Sequence, residues 1–453
     1  MKNRSGLNMM LVIALFMLLV GCGQGNAGSG SNSDPSASPA ETEAASNKGN
    51  ETDKVEKAIE IKFMHVFGGA QGEAIQELVD RYNASQSKVV VTAEQAQGFY
   101  DGLLEKLQTL AVSKQLPEVA IGSYANGEFM STRMPIRPMH TFIDKEAYST
   151  EDYTAQMLKL GQDAEGKQQS LPFLVSTPLI YVNLDHFEQA GIPVVEQPES
   201  WEQVRGWAKQ LADAAPDRGG VYFQMDFDTW MFQTLLETKG GSYASVKDKD
   251  VQFNDEAGKE VLRYWLEMRN EDKSIPMMNG TQAAEAFQSG NLSMLVATTG
   301  NLANLAKNSS FKLGIMLLPT WEGNETSRRL PAGGAGLYVF QSNEEKEAAA
   351  WDFVKFATSP EGSALLAQKM GYMTVRDSAR NELMADYLKE NPMAAATYKQ
   401  AQDIVPWFNW PGDAGTRATR TLLDHIQGSF SGDMTGDEAL DKAAVEIEKI
   451  LRW

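Results

Sequence analysis

Two tryptophans in a proline-flanked loop are the residues whose type and position best suit the binding of a small molecule. Trp407 and Trp410 lie between Pro406 and Pro411, which places them in a loop and not on a helix face. A loop aromatic is less suited to a core, and its flat apolar face can stack on a sugar ring. We therefore expect at least one of Trp407 and Trp410 to be a stacking platform, with core packing as the alternative. Trp230, which follows two nearby aspartates, is a further candidate.

Residues for catalysis or metal binding do not form a recognisable motif. The histidines, His65, His140, His186 and His425, are far apart in the sequence, and neither H-E-x-x-H nor G-x-S-x-G occurs. The segment 428–432 resembles the second motif, but Phe430 stands at the nucleophile position. The only cysteine, Cys22, excludes an internal disulfide and cysteine-based metal sites. We therefore predict no catalytic residue, no metal and no cofactor, although a carboxylate pair at glycosidase spacing stays open.

Composition and charge narrow the class of protein. The chain has 453 residues, of which 42% are hydrophobic and 22% charged, which is ordinary for a globular protein of two or three units. Its formal net charge of −19 argues against nucleic-acid binding, since that binding rests on clustered lysines and arginines. Only one long apolar run occurs, so a membrane protein with several spans is excluded.

The N-terminal segment has the pattern of a secretory signal that ends at a cysteine. Lys2 and Arg4 precede an apolar run over residues 7–20, which is too short for a comfortable membrane span. The run ends in Leu19-Val20-Gly21-Cys22, which resembles the lipobox of bacterial lipoproteins, where the cysteine is diacylated. We therefore predict a signal peptide over residues 1–21, lipidation at Cys22, and a disordered Gly/Ser-rich tether over residues 22–57.

The elements that must position the candidate residues alternate between strand and helix. Hydrophobic residues alternate over 59–63, recur at helical spacing over 75–82, and form a second strand-like run at 89–91. A further helical stripe covers 103–110, and a third short run covers 119–121. This order predicts an α/β fold with mostly parallel strands, whose ligands bind at the carboxyl ends of the strands. The loops at 66–71, 97–100 and 122–126 are therefore expected to face a ligand.

Several short motifs in a fixed order carry a resemblance to a known family. They are Gly68-Gly69, Asp80-Arg81-Tyr82-Asn83, the run from Leu171 to Asn183, Pro198-Glu199-Ser200-Trp201, the run from Phe287 to Met294, Leu318-Pro319-Thr320 and Gly333-Gly334-Ala335. From Ile59 to Trp453 the chain resembles the family 1 extracellular solute-binding proteins, the receptors of carbohydrate-type ABC importers. Within that family it is most similar to the glycerol-3-phosphate-binding members.

The resemblance implies a two-lobed fold of the periplasmic-binding-protein type II. Each lobe would be a mostly parallel sheet flanked by helices, and hinge strands would join the lobes, which close around a ligand. The expected N-terminal lobe comprises residues 58–175 and 336–360. The expected C-terminal lobe comprises residues 176–335 and 361–453.

The resemblance also suggests ligand-binding positions. Five residues match positions that contact the ligand in glycerol-3-phosphate receptors: Tyr100, Ser176, Thr299, Gly334 and Tyr372. With the loop aromatics Trp230, Trp407 and Trp410, they form the predicted site. For each of them a purely structural role is the alternative.

Two positions depart from the glycerol-3-phosphate pattern. Ala125 replaces a glutamate that binds the glycerol hydroxyls, and the stretch from Trp410 to Gly415 lacks the arginine that pairs with phosphate. Arg417 and Arg420 lie nearby in a segment that reads as helix. Burial of a phosphate is costly without charge-assisted hydrogen bonds, so we predict a neutral carbohydrate or polyol-type solute. Glycerol-3-phosphate or a glycerophosphodiester stays open as the alternative.

These inferences predict a monomeric receptor of an ABC importer that is not an enzyme. Its partners would be a small solute, the permease subunits and, through the lipid anchor, the outer face of the cytoplasmic membrane. Two other classes stay open as remote alternatives, an anchored glycoside hydrolase and an adhesive surface protein.

Overall fold

The computed structural model describes residues 57–225, 229–324, 328–412 and 414–453. The predicted signal peptide, Cys22 and the tether up to residue 56 lie outside the described residues. Within those ranges, no helix has the length and apolar character needed to cross a membrane.

Fourteen strands are assigned in the described ranges, most of them short. They are β1 (Ile59–His65), β2 (Val89–Gln95), β3 (Val119–Ser123), β4 (Ile136–Arg137), β5 (Leu171–Ser176), β6 (Pro178–Asn183), β7 (Gly219–Phe223), β8 (Ala244–Ser245), β9 (Asp250–Val251), β10 (Leu292–Thr298), β11 (Leu313–Met316), β12 (Leu330–Pro331), β13 (Gly333–Phe340) and β14 (Ile404–Val405).

Seventeen α-helices are assigned in the same part of the chain. They are α1 (Gly69–Ser85), α2 (Phe99–Val112), α3 (Gly127–Arg133), α4 (Met139–Glu146), α5 (Ala155–Lys159), α6 (Leu184–Gln189), α7 (Trp201–Asp213), α8 (Trp230–Thr238), α9 (Glu256–Asn270), α10 (Gly280–Gln288), α11 (Leu302–Asn308), α12 (Glu344–Ala357), α13 (Pro360–Met370), α14 (Ala385–Glu390), α15 (Pro392–Thr397), α16 (Gly415–Ser431) and α17 (Gly436–Leu451). The strands and helices predicted between residues 59 and 121 are confirmed as β1, α1, β2, α2 and β3.

The first of two main sheets has the strand order β2-β1-β3-β13-β4, with β5 also paired to β13. Strand β1 runs parallel to β2 and β3, whereas β13 is antiparallel to β3, β4 and β5. The α/β class is confirmed, but the mostly parallel pairing predicted for each lobe is corrected to a mixed one. The reason is that β13 returns to this sheet from the other one and enters it from the opposite end.

The second main sheet has the order β11-β6-β10-β7. Strand β6 is antiparallel to both β10 and β11, and β10 is parallel to β7. Helix α7 packs on β7, and Trp265 of α9 contacts Phe223 of β7 with ring centroids 5.6 Å apart. Helix α16 in turn packs against α9 and α17. We call the body on the first sheet the first lobe and the body on this sheet the second lobe.

Two connections between the sheets lie side by side. Strand β5 ends at Ser176 and β6 begins at Pro178, so Thr177 alone separates a strand of one sheet from a strand of the other. Pro178 lacks a backbone donor, and proline is tolerated as the first residue of a strand. The chain returns through β12 into β13, where Gly333 pairs with Ser176.

The division of residues between the lobes stays a prediction, and two observations bear on it. The expected boundary between residues 335 and 336 falls inside β13, which pairs with the first sheet from Gly333 onward. Helix α13, which was assigned to the C-terminal lobe, packs against α1, and its Lys369 forms an ion pair with Glu77 at 3.0 Å. Both observations favour a first lobe that includes β13 and α13.

Candidate ligand-binding site

A cavity of about 350 Å³ lies where elements of the two lobes meet. The first lobe contributes residues 98–101, at the start of α2, together with Ser123 at the end of β3 and Ala125 and Asn126 just after it. The second lobe contributes Gln224, Trp230 and one face of α16. The loops that follow β2 and β3 were predicted to face a ligand, and they line this cavity. The loop at 66–71 does not.

Six of the eight predicted site residues line this one cavity although they are distant in sequence. They are Tyr100, Ser176, Trp230, Gly334, Tyr372 and Trp407. Ala125, the position that departs from the glycerol-3-phosphate pattern, also lines it. Contact of these residues with a solute stays a prediction.

Trp230 and Trp407 form an aromatic pair on the wall of the cavity. Their ring centroids are 6.0 Å apart and their planes differ by 20°, so the two indoles are stacked. The Nε1–H of Trp230 donates a hydrogen bond of 2.7 Å to the carbonyl oxygen of Pro331. Because that bond fixes the orientation of the ring at the start of α8, the pair presents a preformed apolar surface.

Gly333 and Gly334 pass between this aromatic pair and β5, and a side chain at either position would collide with its surroundings. A Cβ atom on Gly333 would lie 2.9 Å from the ring of Trp230 and 2.6 Å from the Oγ of Ser176. Gly334 has φ +107°, and its Cβ would lie 2.0 Å from the carbonyl oxygen of Leu174. The backbone is therefore exposed to the cavity at the point where the chain enters the first sheet.

Tyr100 and Tyr372 supply phenol groups to the cavity from α2 and from the turn after α13. Burial raises the pKa of both side chains well above the range of a free phenol. Both are therefore neutral at physiological pH and keep a donor proton, and the hydroxyl of Tyr100 is buried next to that of Tyr372. Tyr372 is positioned by Gly371, whose φ of +78° ends α13.

Two of the predicted site residues, Trp410 and Thr299, do not line this cavity. Trp410 is 4% exposed and packs on Phe253, Tyr243 and Trp453 as part of the core. The loop folds back after Trp407, so the two tryptophans face different surroundings. Thr299 is fully buried, and its neighbour Thr298 lines the cavity instead, because the chain turns at the end of β10.

Helix α16 contributes the charged residues that the sequence-based site lacked. Its residues on the cavity recur at intervals of one, three and four: Thr416, Thr419, Arg420, Leu423, Asp424 and Gln427. Arg420 forms an ion pair of 3.3 Å with Asp101 of α2, which joins the two lobes across the cavity. Burial raises the pKa of the Asp101 carboxyl, and the charge of Arg420 opposes that shift. The spacing of these residues in the sequence could have indicated a helix face that lines the cavity, but it was interpreted only as evidence for a helix.

The described residues that line the cavity therefore include two carboxylates and one guanidinium. Asp101 and Asp424 provide the carboxylates and Arg420 the guanidinium, and the other described lining residues are uncharged. Such an arrangement offers several hydrogen-bonding groups with a small net negative charge. It suits a neutral polyhydroxylated solute or a zwitterion better than a dianion.

Sequence comparison decides the family. Residues 77–396 match the model of a family described as bacterial extracellular solute-binding protein. The chain belongs to the bacterial extracellular solute-binding proteins. The predicted resemblance is thereby confirmed, and with it the receptor class of this solute-binding protein.

Relatives of this solute-binding protein differ in the solutes for which they are named. The sn-glycerol-3-phosphate-binding periplasmic protein UgpB of Rhizobium meliloti (strain 1021) is 27% identical over 413 residues, which cover 86% of this chain and 93% of the relative. UgpB from Mycobacterium tuberculosis, solved in complex with glycerophosphocholine, is 22% identical with a TM-score of 0.77 and covers 86% of this chain and 98% of its own.

A second similar structure was solved in complex with cycloalternan. The ABC substrate-binding protein Lmo0181 from Listeria monocytogenes, in complex with cycloalternan, is 18% identical with a TM-score of 0.76, and the match covers 87% of this chain and all of that one. Similarity at this level shows the fold alone. The two-lobed fold of this solute-binding protein is therefore confirmed, and its solute is a separate question.

Proposed function

We propose that this protein is the solute receptor of an ABC importer and that it captures a neutral carbohydrate between its lobes for delivery to the permease. The observation that carries the proposal is the stacked pair of Trp230 and Trp407 on the wall of the cavity. Apolar faces of sugar rings stack on indoles, and the hydroxyls of Tyr100 and Tyr372 can bind sugar oxygens. The solute would shift an equilibrium between open and closed lobes, and the protein would act as a monomer.

The charge of the cavity argues against free glycerol-3-phosphate. A phosphate monoester carries nearly two negative charges, and Asp101 and Asp424 would repel it. Arg420 is the one cationic side chain among the described lining residues, and Asp101 already neutralises it. A neutral solute meets none of these penalties.

A glycerophosphodiester is the second candidate, and the position of Arg420 favours it. A choline ester of this kind is a zwitterion with one phosphate charge and one quaternary ammonium. Arg420 could exchange its ion pair with Asp101 for one with the phosphate. The indole faces could hold the ammonium through cation–π contacts. The glycerophosphocholine complex of the Mycobacterium tuberculosis relative gives this candidate a precedent.

Titration calorimetry with glucose, maltose, maltotriose, glycerophosphocholine and glycerol-3-phosphate tests the proposal. We expect micromolar or tighter binding of at least one saccharide and none of glycerol-3-phosphate. Arg420→Gln should weaken glycerophosphocholine binding by at least about tenfold if that solute binds through its phosphate. Arg417→Gln is the matched control, because Arg417 is also an exposed arginine of α16 but does not line the cavity. Binding of glycerol-3-phosphate alone would contradict the carbohydrate assignment.

We propose that the protein is not an enzyme. Burial lowers the pKa of His65 and of His186 to about 4, so both imidazoles are neutral at physiological pH, and neither lines the cavity. A receptor returns its solute unchanged. Chromatography of maltotriose after prolonged incubation with the protein should therefore recover intact maltotriose, whereas release of maltose or glucose would indicate a hydrolase.

We propose lipid anchoring at Cys22 on the outer face of the cytoplasmic membrane. The support is the apolar run that ends at the only cysteine of the chain. Cys22→Ala should move the protein from the membrane fraction to the soluble fraction and leave the affinity for solute unchanged, because the tether separates the anchor from the described fold. Persistence of the Cys22→Ala protein in salt-washed membranes would contradict the anchor.

A further inference from the structure

Phe99 occupies an unusual backbone conformation at the edge of the cavity. It is the first residue of α2, its φ is +55°, and it follows Gly98, whose φ is +79°. The left-handed region is unfavourable for a bulky side chain and is ordinarily left to glycine. The side chain is 48% exposed and lines the cavity.

The position of this strain distinguishes Phe99 from the other positive-φ residues. Six residues other than glycine have a positive φ in the described ranges, and three of them, Lys114, Ala147 and Arg452, lie at or just after helix C-termini. A left-handed residue is the common way to end a helix there. Phe99 instead begins a helix, where no such termination is required. Strain of this kind concentrates at functional sites.

The conformation places a second aromatic pair on the cavity. The ring of Phe99 packs on Tyr100 with centroids 4.5 Å apart and planes inclined by 58°. This pair belongs to the first lobe, whereas the Trp230–Trp407 pair lines the same cavity from the second lobe. A solute held in the cavity therefore meets apolar surfaces that belong to both lobes.

We propose that Phe99 is a specificity-determining residue that stacks on one face of a sugar ring while the Trp230–Trp407 pair contacts the other. The inference rests on the proposed carbohydrate-binding function and deepens it. A pyranose has two faces with exposed C–H groups, so aromatic contacts from both lobes select it over an acyclic solute. The left-handed backbone at Phe99 holds the ring toward the solute.

The variant Phe99→Gly separates this role from a structural one. Glycine adopts φ +55° without strain, so the melting temperature should equal or exceed that of the wild type. The affinity for the saccharide that binds the wild type best, among glucose, maltose and maltotriose, should fall by about tenfold or more. Phe99→Trp, which keeps an aromatic face, should retain most of that affinity.

Lys114→Gly is the matched control on the same helix. Lys114 has φ +58° and lies just beyond the C-terminus of α2, away from the cavity lining. Its replacement should raise the melting temperature and leave affinity unchanged. A Phe99→Gly protein that binds the saccharide as tightly as the wild type would overturn the proposal, as would a loss of several degrees with unchanged binding. If no saccharide binds the wild type, the proposed function fails first and this inference falls with it.

Discussion

Gly334→Ala is expected to lower the free energy of unfolding by about 3 kcal/mol or more. The added Cβ would lie 2.0 Å from the carbonyl oxygen of Leu174, and the residue would also have to adopt φ +107°. The carbonyl oxygen belongs to the backbone of β5, which pairs with β13 on both sides of this position. The clash can therefore be relieved only by breaking the pairing of these strands. Urea denaturation followed by tryptophan fluorescence would measure the loss.

Gly166→Ala is the control that measures how much of the loss of stability comes from the positive φ alone. Gly166 also has a positive φ, +78°, but a Cβ there would meet nothing within 4 Å. Its replacement should therefore cost only about 1 kcal/mol. Equal losses for the two variants would show that the contact with Leu174 is not the cause.

Trp407→Leu should weaken solute binding by about 2 kcal/mol, or roughly thirtyfold in the dissociation constant. Leucine keeps an apolar side chain but removes the flat face that stacks with Trp230 and lines the cavity. Calorimetry with the best-binding saccharide of the panel would measure the change. A leucine variant is preferred to alanine because Trp407 is largely buried and a deletion of its volume endangers folding.

Trp410→Leu is the matched control in the same loop. Trp410 lies three residues further along the chain, in the aromatic core of the second lobe. Its replacement should lower the melting temperature and leave the dissociation constant within about threefold of the wild type. A larger loss of affinity in Trp410→Leu than in Trp407→Leu would contradict the placement of the two side chains.

Local patterns predicted the early part of the fold well. Alternating or helical spacing of apolar residues located β1, α1, β2 and α2, which each bury one side in the core, and a short continuous apolar run located β3, which is buried on both faces. Pairing of β13 with the first sheet could not be read in this way. It joins Gly333 to Ser176, more than 150 residues earlier in the chain, and no local spacing encodes such a contact.

The candidate site was predictable only in part. Tyr100, Ser176 and Gly334 came from a resemblance that family membership later confirmed, and they line the cavity. Arg420 was noted in the sequence but was left out of the predicted site, because it lies in a segment that reads as helix and outside the stretch from Trp410 to Gly415. Phe99 was missed because a positive φ leaves no trace in sequence when the residue is not glycine.

The closeness of the connections between the lobes constrains how the proposed receptor can move. Ser176 pairs with Gly333, and Gln400, on the later segment that leads from α13 to α16, donates hydrogen bonds to Thr177 and Pro178, so the three crossings within the described residues lie together. When the lobes rotate about these crossings, the displacement is smallest at the crossings. It is largest at the rim, where α2 and α16 meet through Asp101 and Arg420. The size of an enclosed solute therefore sets the angle between the lobes. A permease could recognise that angle at the protein's surface.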